Sequence, residues 1–325
     1  MRRLLLLSGF LFLGACAPKP SANDGAFRVA LITPGSIADA AWNAGAFAGL
    51  EQIKDSLGAA ISHIEARTPA DQEEALRSYA AAGYTMVYGH GYEFQAPAER
   101  VAKDFPNTVF VITSGQQVAG KVVPLVFRIH EATYLAGMVA GALTKSGKIG
   151  FVGGMELPPI KLGYDGWVQG AQATHPGVET RLTYLGNFDD AAAGKEAALA
   201  MIRLGVDQLH HNADAAAIGL FGAAKESPNV YVYGANADQT ALAPERVVGS
   251  AVLDLPHALL LVAREVKENR FTPRVESFGL ESGVISFATN PALTRIWPTG
   301  LADRVQAARD SIIAGTLVVA GVKTP

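Results

Sequence analysis

From residue 27 to about residue 254 the chain repeats one pattern. A short apolar run is followed by a longer run whose apolar positions recur every three or four residues. The short runs predict strands at 27–33 (FRVALIT), 60–66 (AISHIEA), 84–90 (YTMVYGH), 108–113 (TVFVIT) and 122–128 (VVPLVFR). Five more follow at 148–154 (KIGFVGG), 178–186 (VETRLTYLG), 207–212 (DQLHHN), 229–236 (NVYVYGAN) and 247–254 (VVGSAVLD). Several are apolar throughout, as strands are when helices cover both faces of their sheet. The longer runs predict helices over 40–57, 69–82, 132–144, 191–204 and 257–269. Thr68 is placed to cap the second of these, with Pro69 in its first turn.

Strands alternating with helices define an α/β chain with parallel sheets. So many strands exceed one small doubly wound sheet, so two such lobes are expected, joined by short hinge crossings. The first takes 27–128 and a return over about 251–290, with LDLPHALLLVAREVKENR as a helix packed on it. The second takes 129–250 and about 291–325. Ligands of open α/β sheets bind beyond the carboxyl ends of the strands. Two facing sheets would bring those ends to one cleft, so the loops after the strands are the place to look for chemistry.

Composition narrows the class. The chain has 325 residues, 49% apolar and 18% charged, which suits a folded globular protein. Its formal charge is -3 with no basic stripe, which argues against nucleic acid as a partner. Residues 1–15 hold Arg2 and Arg3, an apolar stretch from Leu4 to Leu13 and then small residues, the form of a secretory signal peptide too short to span a membrane. Leu13-Gly14-Ala15-Cys16 resembles a bacterial lipobox, which implies cleavage before Cys16 and lipidation of that residue. Cys16 is the single cysteine, so it has no disulfide partner in the chain. Residues 16–26 read as a polar tether. Without Arg2 and Arg3, the 27 basic residues become 25 against 30 acidic ones, and the mature chain is mildly acidic.

The loops offer a limited set of candidates. ITPGSIADAAWN, Ile32 to Asn43, places Asp39, Trp42 and Asn43 at the start of a helix behind a glycine loop. An indole face can stack on a planar ring, and an amide both donates and accepts; alternatively, Trp42 is a core residue of an amphipathic helix. YGHGYEF ends the third strand with His90 and Tyr92 around a glycine. YGANADQ ends another with Asn236 and Asp238, either facing a cleft or closing an Asx-turn on their own backbone. GLESGV, Gly279 to Val284, is a turn between two strand-like runs, and Gly283 there could offer a backbone donor. Dinucleotide, Walker, nucleophile-elbow and zincin motifs are absent. His210-His211 is no metal motif by itself, and neither a metal nor a cofactor is expected.

Several stretches together resemble the basic membrane protein family. They are DAAWN (Asp39 to Asn43), FRIHEATYLAGMVAGALTKSGKIGFVGGM (Phe127 to Met155), GYDGWVQG (Gly163 to Gly170), FDDAAAGKEAA (Phe188 to Ala198) and YGANADQ (Tyr233 to Gln239). The resemblance implies a type I periplasmic-binding-protein fold and a lipid-anchored, monomeric substrate-binding protein of an ABC transporter. It would be exported, tethered to the cell membrane and partnered by a permease. It also implies a purine nucleoside or base as ligand, with Trp42 and Asn43 on the base and a second aromatic, Trp167 or Tyr164, from the other lobe. Three places depart from the family pattern, the first being Pro34-Gly35 in the loop after the first strand, where an Asp is usual. Asn236 stands where an Asp is expected to grip ribose, and Leu253 where a Lys is usual, which favours a heterocycle with little or no sugar. The alternatives are a ligand sensor of the same fold feeding a signalling receptor, or a nucleoside-processing enzyme. Asp189, Asp190 and His90 are candidates for the latter by residue type alone.

Overall fold

Two six-stranded sheets organise the chain in a computed structural model that describes residues 26–39 and 41–319. The signal segment 1–15, Cys16 and the tether as far as residue 25 lie outside the described residues. The first half runs β1 (Arg28–Thr33), α1 (Trp42–Leu57), β2 (Ala60–Glu65), α2 (Pro69–Ala81), β3 (Met86–His90), α3 (Gln95–Val101), β4 (Val109–Thr113) and β5 (Val122–Phe127). It continues with α4 (Ile129–Leu143), β6 (Lys148–Gly153), α5 (Pro158–Thr174), β7 (Glu179–Tyr184), α6 (Ala191–Arg203), β8 (Gln208–Asn212), α7 (Ile218–Glu226) and β9 (Tyr231–Asn236). The last part holds β10 (Val247–Leu253), α8 (Leu255–Lys267), β11 (Glu276–Phe278), β12 (Ile285–Thr289) and α9 (Leu301–Ile313).

The first sheet has the order β11-β5-β4-β3-β1-β2 and is parallel throughout. The second has the order β12-β10-β9-β8-β6-β7, parallel except for β12 at its edge. Every residue of β3 and β4 is buried, because helices cover both faces, and this is why those runs lack polar alternation. Thr68 caps α2 by accepting from the Asp71 N–H, with Pro69 in the first turn.

The returning segment is narrower than about 251–290. β10 pairs with β9 and β12 pairs with β10, so both belong to the second sheet; α8 and β11 are what return to the first. The fully buried Tyr88 of β3 fixes α8 there, its hydroxyl donating to the Leu259 carbonyl at 2.6 Å. The chain passes between the sheets at 127–129, 253–255 and 278–285. GLESGV is therefore a crossing rather than a hairpin turn within one sheet. The crossings are stitched together: Arg128 N–H donates to Phe278 O, Leu280 N–H to a Glu131 carboxylate oxygen, and Asp254 N–H to Val284 O, each at 2.8 Å. The Arg128 guanidinium pairs with both Glu131 and Glu281.

In the second lobe α4 and α5 meet backbone to backbone. A Cβ on Gly170 would lie 1.9 Å from the Tyr134 carbonyl oxygen, and one on Gly137 2.1 Å from that of Trp167. This close approach explains the glycines in LAGMVAGAL and GYDGWVQG. Among the described residues, no helix is long and apolar enough to cross a membrane.

Candidate ligand cleft

Loops at the carboxyl ends of strands from both sheets enclose a cleft of ≈ 460 Å³. From the first lobe come Gly35, Asp39, Trp42 and Asn43 after β1, Arg67 after β2, Tyr92 and Glu93 after β3, Ser114 after β4, and Phe127 at the end of β5. From the second come Met155 after β6, Asn187, Phe188 and Asp189 after β7, Asp214 after β8, Asn236 at the end of β9 and Leu253 at the end of β10.

The first-lobe wall is propped from behind. Asp39 accepts three backbone N–H groups at the start of α1: from Ala41 at 3.2 Å, Asn43 at 2.6 Å and Ala44 at 2.9 Å. It thereby caps the helix, satisfying donors that no intrahelical partner can reach. Trp42 follows, half-buried, with one face stacked on His90 at a centroid distance of 4.1 Å and the Phe127 ring against its edge at 6.4 Å. His90 is fully buried. Its Nε2–H donates to the Trp42 carbonyl (3.1 Å), so its Nδ1 accepts from the Thr113 hydroxyl (2.9 Å). Burial pushes its pKa down to about 3, so it is a neutral support for the indole and no acid or base.

Glu93 also contributes to the wall. A Cβ on Gly91, whose φ is +143°, would come 2.5 Å from Glu93 Oε2, so only glycine lets the carboxylate fold back there. Burial raises the Glu93 pKa.

The second-lobe wall joins an aromatic ring to a carboxyl–amide pair. A Cβ on Gly154 would lie 2.2 Å from Phe188 Cδ1, so the phenyl ring rests on bare backbone. Asn236 Nδ2 donates to Asp214 Oδ1 at 3.3 Å. Both residues are buried, and both have left-handed backbone, with φ of 65° and 45°. Burial first, and the nearby Asp39 second, push the Asp214 pKa up to about 8. At the mouth Arg67 of the first lobe reaches Asp189 of the second at 3.1 Å while also pairing with Glu65.

Of the residues singled out in the sequence, Asp39, Trp42, Asn43, Tyr92 and Asn236 line the cleft and His90 backs it. Five do not reach it. Trp167 is fully buried on the sheet-facing side of α5, against His210 (5.1 Å) and Tyr233 (4.9 Å), because the glycine-rich face of that helix is turned to α4. Tyr164 packs edge-on to Phe151, with its hydroxyl on Thr180 at 3.0 Å. Asp238 closes an Asx-turn on Thr240, and Gly283 sits with φ of 73° in the last crossing. Asp190 caps α6 through the N–H groups of Ala192 and Ala193. The second-lobe aromatic in the cleft is Phe188, the first residue of the FDDAAAGKEAA stretch. Glu93, Phe127 and Asp214 also went unread. Each follows or ends a strand that the sequence did reveal, so position after a strand was the available signal. Among the described residues no cluster of three His, Cys, Asp or Glu side chains is placed to hold a metal ion.

Two doubly wound lobes, three crossings and a cleft built from strand ends define the type I periplasmic-binding-protein fold. A crystal structure of a solute-binding protein of an ABC transporter system from Aeropyrum pernix K1 superposes with a TM-score of 0.80 at 23% identity, covering 91% of this chain and 94% of that one. The chain belongs to the Bmp family, whose model, described as ABC transporter substrate-binding protein PnrA-like, matches residues 26–299. Basic membrane protein A2 of Borrelia garinii subsp. bavariensis is 30% identical over 303 residues, covering 90% of this chain and 89% of that protein. The ABC transporter nucleoside-binding protein BmpA of Lactococcus lactis subsp. cremoris is 27% identical over 315 residues, covering 90% and 88%. Family members are extracytoplasmic substrate-binding proteins that serve a permease; they are not enzymes.

Proposed function

We propose that this protein captures a purine base or purine nucleoside between its lobes and delivers it to an ABC permease, as a monomer held at the membrane by a lipid on Cys16. The observation that carries the reading is an aromatic side chain from each lobe, Trp42 and Phe188, on the walls of one cleft. Flat rings are what such walls hold well, since stacking on one aromatic contributes about 1–3 kcal/mol per base. Asn43 adds an amide for a ring edge, and the cleft volume suits a small ligand. The nucleoside named for the Lactococcus lactis relative supports the same class. Asn236 and Leu253 lack the charges that family resemblance implies at their positions, which favours a free base. Asp214 beside Asn236 supplies another carboxyl group, which keeps the nucleoside in the proposal.

Isothermal titration calorimetry with adenine, guanine, hypoxanthine and their nucleosides tests it. Saturable binding of at least one is expected, and heats at the level of dilution for all would overturn the reading. Mass spectrometry of the mature chain tests the anchor: diacylglycerol on Cys16 is expected, and an unmodified Cys16 in the exported protein would refute it.

A further inference from the structure

The polar atoms of the cleft are unevenly divided between hydrogen-bond donors and acceptors. Asp39, Glu93, Asp189 and Asp214 are its acidic residues; Arg67 is the one basic residue among the described lining. Arg67 is already engaged by Glu65 and Asp189. Asp39 is spent on the α1 backbone. Asp214 and Glu93 are different, for neither has a cationic partner, and the Asp214 hydrogen bond comes from a neutral amide.

Two amide oxygens add to this surplus. Gln72 is 2% exposed; its Nε2 donates to the Ala66 carbonyl, and its Oε1 is buried without a partner. Asn43 is 5% exposed, and its Oδ1 is likewise buried and unpaired. Both residues contribute to the cleft wall. These two oxygens are sealed from solvent, so the acceptors a ligand can reach are the Asp214 and Glu93 carboxyls.

Resting on the function proposed above, we infer that the cleft selects amino-substituted, neutral or cationic purine-type rings over oxo-substituted and anionic ones. Glu93 and Asp214 take up the ligand's N–H groups. An amino group, or a protonated ring nitrogen, gives the two carboxyls the partner that the protein withholds. A carbonyl-rich ring meets acceptors with acceptors, and an anion such as urate or a nucleotide finds no free cation.

Calorimetry at pH 7 with two matched series tests the inference: 2,6-diaminopurine and adenine against hypoxanthine, xanthine and urate, then the corresponding ribosides. The amino rings should bind about tenfold or more tighter than xanthine, and urate should not bind measurably. Asp214→Asn tests the residue. Asn accepts left-handed backbone and can still receive the Asn236 bond, so the fold should hold, which thermal unfolding checks. Glu93→Gln serves as a second variant. Either substitution should narrow the amino-over-oxo gap by about fivefold, weakening the amino series while sparing the oxo series. Oxo rings that bind as tightly as amino rings, or a gap unchanged in both variants, overturn the inference and leave the function standing. If no ring of either series binds, both fall.

Discussion

Replacing Trp42 probes the wall on which the functional reading leans hardest. Its indole is half-buried, stacked on His90 at 4.1 Å and touched at its edge by Phe127, and it lines the cleft. Trp42→Ala removes two things. On the cleft side it removes a stacking surface of about 1–3 kcal/mol, which corresponds to a rise in Kd of about 5- to 150-fold. On the protein side it leaves a hole above His90. Full burial of a large aromatic makes such a truncation cost about 3–5 kcal/mol, so a half-buried ring should cost about 2 kcal/mol of folding stability. Trp42→Phe keeps a ring over His90 and should give up only a fraction of each. Calorimetry with adenine and adenosine reads the first effect and urea unfolding the second. Fluorescence separates the site from the rest, because the chain has three tryptophans and Trp167 is sealed in the second-lobe core. Ligand-dependent quenching should vanish in Trp42→Phe while the remaining emission persists. A well-folded Trp42→Ala protein whose Kd stays within about twofold of the parent would refute the reasoning.

Ligand-free stability should peak near pH 6.5–7. Burial lowers the pKa of His90, His130, His210 and His211 to about 3, 4, 3 and 4, so below pH 6.5 the unfolded chain binds protons that the folded chain refuses, and stability is lost on acidification. Asp214, raised from 3.8 to about 8, has the opposite sign: the folded chain holds a proton that the unfolded chain releases, so stability is lost as pH rises from 3.8 toward 8. With His63 also lowered, five histidines outweigh the raised carboxyls of Asp214 and Glu93 in the acid range, and those carboxyls act above it; a melting temperature that rises on acidification below pH 5 would contradict the account. Arg67→Ala or Asp189→Ala removes the ion pair across the mouth, whose side chains are 56% and 60% exposed. Exposed pairs contribute under about 1 kcal/mol, so Kd should rise no more than about fivefold and the effect should fade in high salt; a larger, salt-independent loss would contradict it. Gly170→Ala drives a Cβ to within 1.9 Å of the Tyr134 carbonyl oxygen, so α4 and α5 must part. A loss of about 3 kcal/mol or more is expected by chemical denaturation, whereas an unchanged midpoint would mean that the helices are not in backbone contact.

The fold was legible where burial imposed a period. β3 and β4 lie wholly inside, so they stand out as unbroken apolar runs, and α2 announced itself by its Thr68 cap and Pro69. α5 was not among the predicted helices, because Gly163, Gly166 and Gly170 weaken a helical pattern; Gly166 and Gly170 form a seat for α4 that exists only in three dimensions. β11 has three residues and β12 five, too few to show that the chain changes lobes between them. For the cleft, strand-end position was readable but side-chain direction was not. Trp42 and Trp167 both sit among small residues near a helix start or middle, yet one faces the gap and the other the sheet. Asp214 signals its place only by following β8. It reaches the cleft because β8 lies beside β9, and that neighbourhood brings it to Asn236.

The two walls are held by different means, and the difference bears on how the cleft works. On the first lobe the groups that hold the indole are satisfied locally: Asp39 by three N–H groups, His90 by a carbonyl and a hydroxyl. That fixes the indole before any ligand arrives and reduces the ordering cost of binding. On the second lobe Asp214 and Asn236 sit in left-handed backbone, a conformation uncommon outside glycine and tolerated best by Asp and Asn. They are joined by one long hydrogen bond, with acceptor capacity to spare. The wall around the indole is thus finished, and the wall around the carboxyl–amide pair is not. They are connected by three adjacent crossings that Arg128, Glu131 and Glu281 clamp into a single bundle. A joint so confined suits lobes that swing with little independent sliding, and on the proposed reading a ring seated on Trp42 would meet the carboxyl–amide pair in one register. On the proposed reading, selectivity resides in the Glu93 and Asp214 carboxyls, one on each wall, because the stacking surface accepts any flat ring and the carboxyls do not.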